Sequence, residues 1–461
     1  MWTVAALYTG LMSVESVYRH YTFQTGFDVA VYDQRLWLLA DGRVPFSTVA
    51  SKPFLGDHFE PALALLTPLY WLGLGVPGIL VAQTLGLALT APALYALARA
   101  FNASPAVASI PAFLWLASPA VVAVNRFDFH PTAFAPVLLV LSVLAAIQDR
   151  HLLLAATMLL AIGLKEDVSL TYVVLGVLLI LHGKRRVGGL LATASALCFL
   201  LSSLIIQRLS DQYEWQGRRF AGGRGDSVLD AFSYMARHPW ETAGDALANG
   251  GVEFLVLVLS AGGLALLSPA WMLLAAPTVA FNALSAYGPQ HDLTHQYHLL
   301  AATGLFAAAA IGSGRMASVM GVGRRLASVG VAGAVVIALA GGIGVHWDSP
   351  DLGPAERAAI RRALDRIPAD APVSATPDLL PHLSQRVDVY TLPEPFVQID
   401  WGSRITTEDL AERAERVRFV ALGRRQPLEY EGDLDDVKEM LLKDGWLVVA
   451  RAGPVEILER S

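Results

Sequence analysis

Eleven runs of apolar sequence restrict the fold of this chain more than any other feature. They lie at residues 2–18, 79–100, 105–124, 132–147, 152–164, 168–182, 187–206, 252–267, 269–286, 297–312 and 326–345. A bilayer core takes about 20 apolar residues of helix, with roughly 17–25 usual. Of the 461 residues, 54% are hydrophobic and only 16% charged, against about 25% charged in soluble domains. The mean hydropathy is +0.48. These runs predict a polytopic α-helical membrane protein of about eleven transmembrane helices. Residues 2–17 have no basic stretch before them and no A-x-A site after them, so they read as a retained first span. Residues 61–74 are too short to span and suit a helix in the interface, with Tyr70 and Trp71 at headgroup level. The single cysteine, Cys198, excludes an intramolecular disulfide framework and a cysteine-based zinc site.

The distribution of Lys and Arg orients the spans. With a cytoplasmic N-terminus, the inner loops carry Arg99, Arg150, Lys184-Arg185-Arg186, Arg315 and Arg324-Arg325, with Asp149 the one acid. The outer loops then hold residues 19–78, 125–131, 165–167, 207–251 and 287–296, and everything after 346. All the acidic and histidine-rich motifs fall on that outer side. The expected location is therefore the cell membrane, multi-pass, with an extracytoplasmic C-terminus. The partners to expect are the lipid bilayer and its lipids, and no nucleic acid.

After Trp347 the composition becomes that of a soluble domain. Pro354–Ile367 reads as an amphipathic helix entered through Pro. Residues 371–376, 387–392, 418–422, 446–451 and 455–458 read as strands, and 406–417 and 433–444 as helices between them. Alternating strands and helices predict a small α/β layer with a mostly parallel sheet. The chain thus divides into a membrane domain, 1–345, and an extracytoplasmic α/β domain, 346–461. The second unit has no glycine-rich phosphate loop and no nucleophile elbow, so a lid or docking platform is its expected role.

Six clusters from five outer-face loops could carry chemistry. The first is F-D-V-A-V-Y-D-Q at 27–34, with Asp28, Tyr32, Asp33 and Gln34. Carboxylates beside hydrocarbon are costly and mark a functional site by default, although Asp28 could equally be a helix N-cap. G-D-H-F-E-P at 56–61 sets Asp57 beside His58, either to cap a helix or to act as base or metal ligand. N-R-F-D-F-H-P at 125–131 places Asp128 and His130 on one side of an extended segment, near Arg126. Lys165-Glu166-Asp167 must pair internally or with a ligand. Arg218, Arg219 and Arg224 lie in a cationic loop suited to phosphate, which Arg grips bidentately. The stretch 287–298 spaces His291, His295 and His298 as one face of a helix entering the membrane, for a divalent metal, a polar pore or sugar hydroxyls. It is not the H-E-x-x-H of a zinc protease.

The motifs F-D-x-x-x-Y-D-Q, G-D-H-F-x-P, F-D-F-H-P and K-E-D, in this order, resemble the DUF2079 family of polytopic bacterial membrane proteins. That family is similar to the GT-C superfamily of glycosyltransferases. The resemblance implies a GT-C-like membrane domain, a polyprenyl-phosphate-linked sugar as donor, an inverting displacement and an acid of the first outer loop in the catalytic site. Asp28 is the matching position, with Asp33 one turn further along. Arg126, Lys165, Glu166, Arg218 and Arg219, with Tyr32, Gln34 and His298, become substrate-binding candidates. Asp57, His58, Asp128, His130, His291 and His295 become orienting groups or ligands of a divalent metal ion, although the loop lacks a D-x-D pair. The rival class is a transporter or lipid-binding scaffold. Such a protein would place its site near the midplane, often between repeats, and no repeat is present.

Overall fold

The computed structural model describes residues 1–220, 228–316, 332–333, 352–427 and 430–461. Apart from residues 332–333, the expected span at 326–345 lies outside the described residues. Among those described, Gly75–Ala100, Arg185–Leu209 and Pro239–Ser260 are long and apolar enough to cross a bilayer. Pro105–Ala117 and Pro119–Arg126 pass together as one span bent by 41°. Pro119 causes the bend: it brings no N–H, and it holds Ser118 extended at ψ 133°. The remaining apolar helices are shorter, including Pro131–Ile147, His151–Ile162, Val168–Leu181 and Pro269–Leu284.

Leu299–Ser313 runs through the middle of the bundle and is buried on every face. Its alanines and glycines permit that. A Cβ on Gly304 would stand 2.6 Å from the Ala275 backbone nitrogen, so only glycine allows this approach of two backbones. One expected span and the expected interfacial helix take another form. The run at 252–267 belongs to a helix that starts at Pro239 and stops at Ser260, where Gly262 and Gly263 adopt positive φ. The segment at 61–74 is a 3-10 turn, Pro61–Leu66, followed by the short helix Thr67–Trp71. Trp71 stays exposed, while Tyr70 turns inward and donates its hydroxyl to Asp33 at 2.7 Å.

Two short strands in the loop after the helix Phe27–Ala40, β1 (Phe46–Ser47) and β2 (Lys52–Pro53), form an antiparallel ribbon. The C-terminal unit contains β3 (Val373–Ala375), β4 (Val389–Thr391), β5 (Phe419–Leu422), β6 (Trp446–Ala452) and β7 (Val455–Arg460), in the order β4-β3-β5-β7-β6. The first three are parallel, but β7 is antiparallel to both its neighbours. The mostly parallel expectation therefore gives way to a mixed sheet. Its cause is local: Gly453 takes φ +56° and turns β6 directly into β7, and a hairpin can only pair antiparallel.

The edge strand β4 is not left bare. Thr48 bonds both the N–H and the C=O of Val389, and Thr391 Oγ1 donates to the Val49 carbonyl at 3.0 Å. Phe23, Ala30, Val31, Val49 and Ala50 share one apolar cluster with Ile360, Val373, Val389 and Ile457. The segment that contains these first-loop residues is thus an integral side of the C-terminal unit's core. A second cluster around Tyr390, Val420, Trp446 and Leu458 lies wholly within that unit.

Candidate active site

The helix Phe27–Ala40 sets the geometry of the site. Its N-cap is Gly26, which offers no side chain. The cap comes from elsewhere in the chain: the Asp128 carboxylate accepts the Gly26 N–H at 3.0 and 3.1 Å and the Val29 N–H at 3.4 Å. A carboxylate so placed satisfies the open donors of the first turn and the positive end of the helix. Asp28 is thereby released from capping and lines a cavity of about 1280 Å³. His130 brings Nε2 to 3.5 Å from Asp28 Oδ2, while its Nδ1 lies 3.1 Å from the Asp128 carbonyl. That contact places the ring proton on Nδ1 and leaves Nε2 toward Asp28. Burial holds the His130 imidazole down to about 4, and burial together with the Asp28 charge pushes the Asp128 carboxyl up to about 6.

Ion pairs between loops build the neighbouring wall. Arg35, fully buried, donates to Glu60 at 2.5 Å and to Asp57 at 3.2 Å. Lys52 Nζ reaches Asp57 at 3.2 Å and also bonds Gln212. Burial alone would raise Asp57, but Lys52, His58 and Arg35 outweigh it and hold the carboxyl well below its usual range. His58 Nδ1 stands 3.0 Å from Glu166, whose other oxygen accepts the Phe59 N–H at 3.0 Å. Here too burial is overcome: Glu166 falls to about 2 and His58 rises. Lys165 pairs with Asp167 at 3.2 Å. Arg219 is held differently, between the rings of Trp215 at 3.9 Å and Tyr287 at 3.8 Å. Among the described residues it has no carboxylate partner.

Apolar side chains line the cavity as well. Phe199 and Leu200, Phe232 and Met235, and Ala280 and Phe281 come from three helices. Pro377, Trp401 and Arg425 close the cavity from the C-terminal unit.

The profile of the DUF2079 family, described as a predicted membrane protein, matches residues 19–453. The chain belongs to that family. No curated protein matches it. Among solved structures it is similar to ArnT from Cupriavidus metallidurans bound to undecaprenyl phosphate, with a TM-score of 0.60 and 13% identity over 98% of this chain and 97% of that one. The apo form of the same protein gives 0.54 and 13%, covering 98% of each chain. This DUF2079 member therefore has an ArnT-like fold and is a multi-pass membrane protein.

In this DUF2079 chain the cavity gathers Asp28, Tyr32, Asp57, His58, Asp128, His130, Lys165, Glu166, Arg219 and His295. The other candidates lie apart from its lining. Asp33 is buried and accepts hydrogen bonds from Tyr70, Ser384 and Gln385. Gln34 bonds Ser47, Thr48 and the Arg386 carbonyl, which joins the first loop to the C-terminal unit. Arg126 pairs with Glu15 at 2.8 Å, and Arg218 with Asp400 at 2.9 Å near the surface. Arg224 lies outside the described residues.

The three histidines at 291–298 share no helical face. Short 3-10 turns, Gly288–Gln290 and Gln296–His298, replace the expected helix, which starts only at Leu299. Pro289 and the Asp292–Thr294 turn divert the chain. His291 bonds the Ser285 carbonyl, and His298 is buried away from the cavity lining. Among the described residues, no group of three or more His, Cys, Asp or Glu side chains is arranged to hold a metal ion. Asp57, Asp128 and Glu166 are turned to cations and backbone N–H groups.

Sequence reasoning missed Lys52, Trp215, Trp401 and Arg425. Lys52 had a usable signal, as a lone lysine between acidic motifs of one loop. Arg425 had none.

Proposed function

We infer that this protein transfers a sugar from a polyprenyl-phosphate donor to an acceptor hydroxyl at the extracytoplasmic face. The observation that carries the reading is the mixed lining of the cavity. Carboxylates, imidazoles and cations line it together with apolar side chains of the helices Arg185–Leu209 and Ala276–Leu284. A lipid phosphate has that duality. A transported solute needs no such apolar lining, and the polar groups sit at one end of the bundle. The ArnT-like fold supports the reading by analogy.

In the proposed reaction the acceptor oxygen attacks the anomeric carbon as the bond from that carbon to the phosphate oxygen breaks. Asp28 takes the acceptor proton. The phosphate leaves with the bonding electrons, and one displacement inverts the anomeric centre. Arg219 is the foremost phosphate group, since its rings hold it flat and no carboxylate among the described residues neutralises it. Lys52 and Lys165 add positive charge from pairs already formed. A divalent ion is not needed for this scheme, and chelator-resistant turnover is the corresponding expectation.

Native mass spectrometry of the purified protein with added undecaprenyl phosphate tests the donor side. Retention of the lipid, weakened roughly tenfold or more by Arg219→Ala, is the expected result. Absence of retention, or retention indifferent to Arg219, overturns the assignment.

A further inference from the structure

The groups around Asp28 on its aqueous side point to a substrate class for the acceptor. Asp28 occupies the first turn of its helix, next to Gly26 and Phe27. An acceptor hydroxyl within reach of Asp28 must therefore lie against whatever covers that turn from the outside. The cover comes from the C-terminal unit. Trp401 stacks on Phe27 at 4.7 Å between ring centres, with planes 11° apart. Arg425 Nη1 lies 3.9 Å from the point where a Cβ on Gly26 would sit, and Asp128 Oδ2 lies 3.3 Å from that point. One cation of the C-terminal unit is thus delivered to the carboxylate end of the cavity.

Its placement is built. Arg425 follows β5, and the Asp378 carboxylate accepts the backbone N–H groups of Arg424 at 2.9 Å and Arg425 at 3.4 Å. The guanidinium donates one hydrogen bond, from Nη1 to the Gln24 carbonyl at 3.2 Å. Among the described residues it has no carboxylate within ion-pair distance. Its other donors remain for a ligand. Arg19 and Gln24, at the end of the first helix, line the same mouth, and Arg19 Nη1 donates to the Gln24 side chain at 3.2 Å. The parallel strands β3 and β5 end here, and crevices outside the carboxyl ends of parallel strands are habitual ligand sites.

We propose that Arg425, beside Trp401 and Arg19, binds an anionic group of the acceptor, so that the acceptor is a hydroxylic molecule carrying a phosphate or a carboxylate near the reacting hydroxyl. The proposal rests on the glycosyl-transfer reading above, with the donor phosphate assigned to Arg219 and the acceptor anion to Arg425. A cation at this place holds the acceptor's own charge away from Asp28 and fixes which hydroxyl faces that carboxylate.

Saturation-transfer NMR on the full-length protein tests it, with glucose 6-phosphate, glucuronate and glucose as probes. The expected result is signal from an anionic sugar that exceeds glucose and drops roughly tenfold or more in Arg425→Gln. A stronger signal from glucose 6-phosphate assigns phosphate as the acceptor's charge, and from glucuronate a carboxylate. Equal signals from all three sugars, no signal from either anionic sugar, or signal that survives both Arg425→Gln and Arg19→Gln overturns the proposal. Undecaprenyl phosphate retention is measured on the same samples. If the lipid fails to bind while the anionic sugars bind through Arg425, the glycosyl-transfer reading falls and the anion site stands. If the lipid binds and the sugars do not, only the anion site falls.

Discussion

Two aspartates five residues apart, both in the motif at 27–34, have opposite surroundings. Asp28 opens on the cavity beside His130, whereas Asp33 is enclosed by Tyr70, Ser384 and Gln385. Asp33→Ala removes the acceptor of three donors and is expected to destabilise the protein by about 1–3 kcal/mol. Thermal unfolding of the purified protein checks this, and an unchanged melting point would contradict it. The pair His58–Glu166 gives a pH signature. Glu166 is depressed to about 2, so its contribution to stability is present above the usual Glu range and is lost only as pH falls toward 2. His58 is raised, so its contribution is complete below the usual His value and is lost as pH rises through the raised one. Wild-type melting temperature should therefore fall from pH 6 upward more steeply than that of Glu166→Gln, and parallel slopes would count against the pair. The sequence showed which residues were polar beside hydrocarbon, but not which faced the cavity. The cap on Asp28's own helix comes from Asp128, about a hundred positions later in the chain, and no local pattern announces a cap from so far away.

Among the elements, the apolar runs made the helices legible, since length and composition determine them almost alone. Breaks were less legible. Gly262-Gly263 and Pro119 end or bend helices inside runs that look continuous, because an apolar window averages over one or two residues. The histidines at 291–298 misled for the converse reason: a spacing of four and three fits a helix, but Pro289 and the Asp292 turn keep this segment from forming one. The C-terminal strands were found nearly in place, while the partners of β4 were not. Thr48 and Val49 cover its edge from the loop after the helix Phe27–Ala40, a contact between residues more than three hundred apart. The isolated segment 352–461 should consequently expose that edge and the apolar patch that Phe23, Val31 and Val49 normally cover. Binding of a hydrophobic dye and self-association of the fragment are expected, and a monomeric fragment that ignores the dye would show that the unit is complete without the loop.

On the scale of the whole molecule, loops distant in sequence converge on one cavity between the membrane helices and the C-terminal sheet. The orientation that places this cavity outside is testable by cysteine labelling in a Cys198→Ser background. A membrane-impermeant reagent should reach Glu439→Cys, exposed on the C-terminal unit, in cells lacking an outer-membrane barrier. It should reach Gln148→Cys, exposed in a basic loop at the other end, only after permeabilisation. The reverse pattern would move the site to the cytoplasm. The central claim is that Asp28 is the base of a sugar transfer, and Asp28→Asn tests it most directly. Its helix is capped by Asp128 and not by Asp28 itself, so the substitution should leave folding and undecaprenyl phosphate retention intact. With a panel of polyprenyl-phosphate sugars, release of polyprenyl phosphate by wild type and a loss of about 10²–10⁴-fold in Asp28→Asn is the predicted result. Equal turnover by the two proteins, or no turnover by wild type with any donor of the panel, would contradict it.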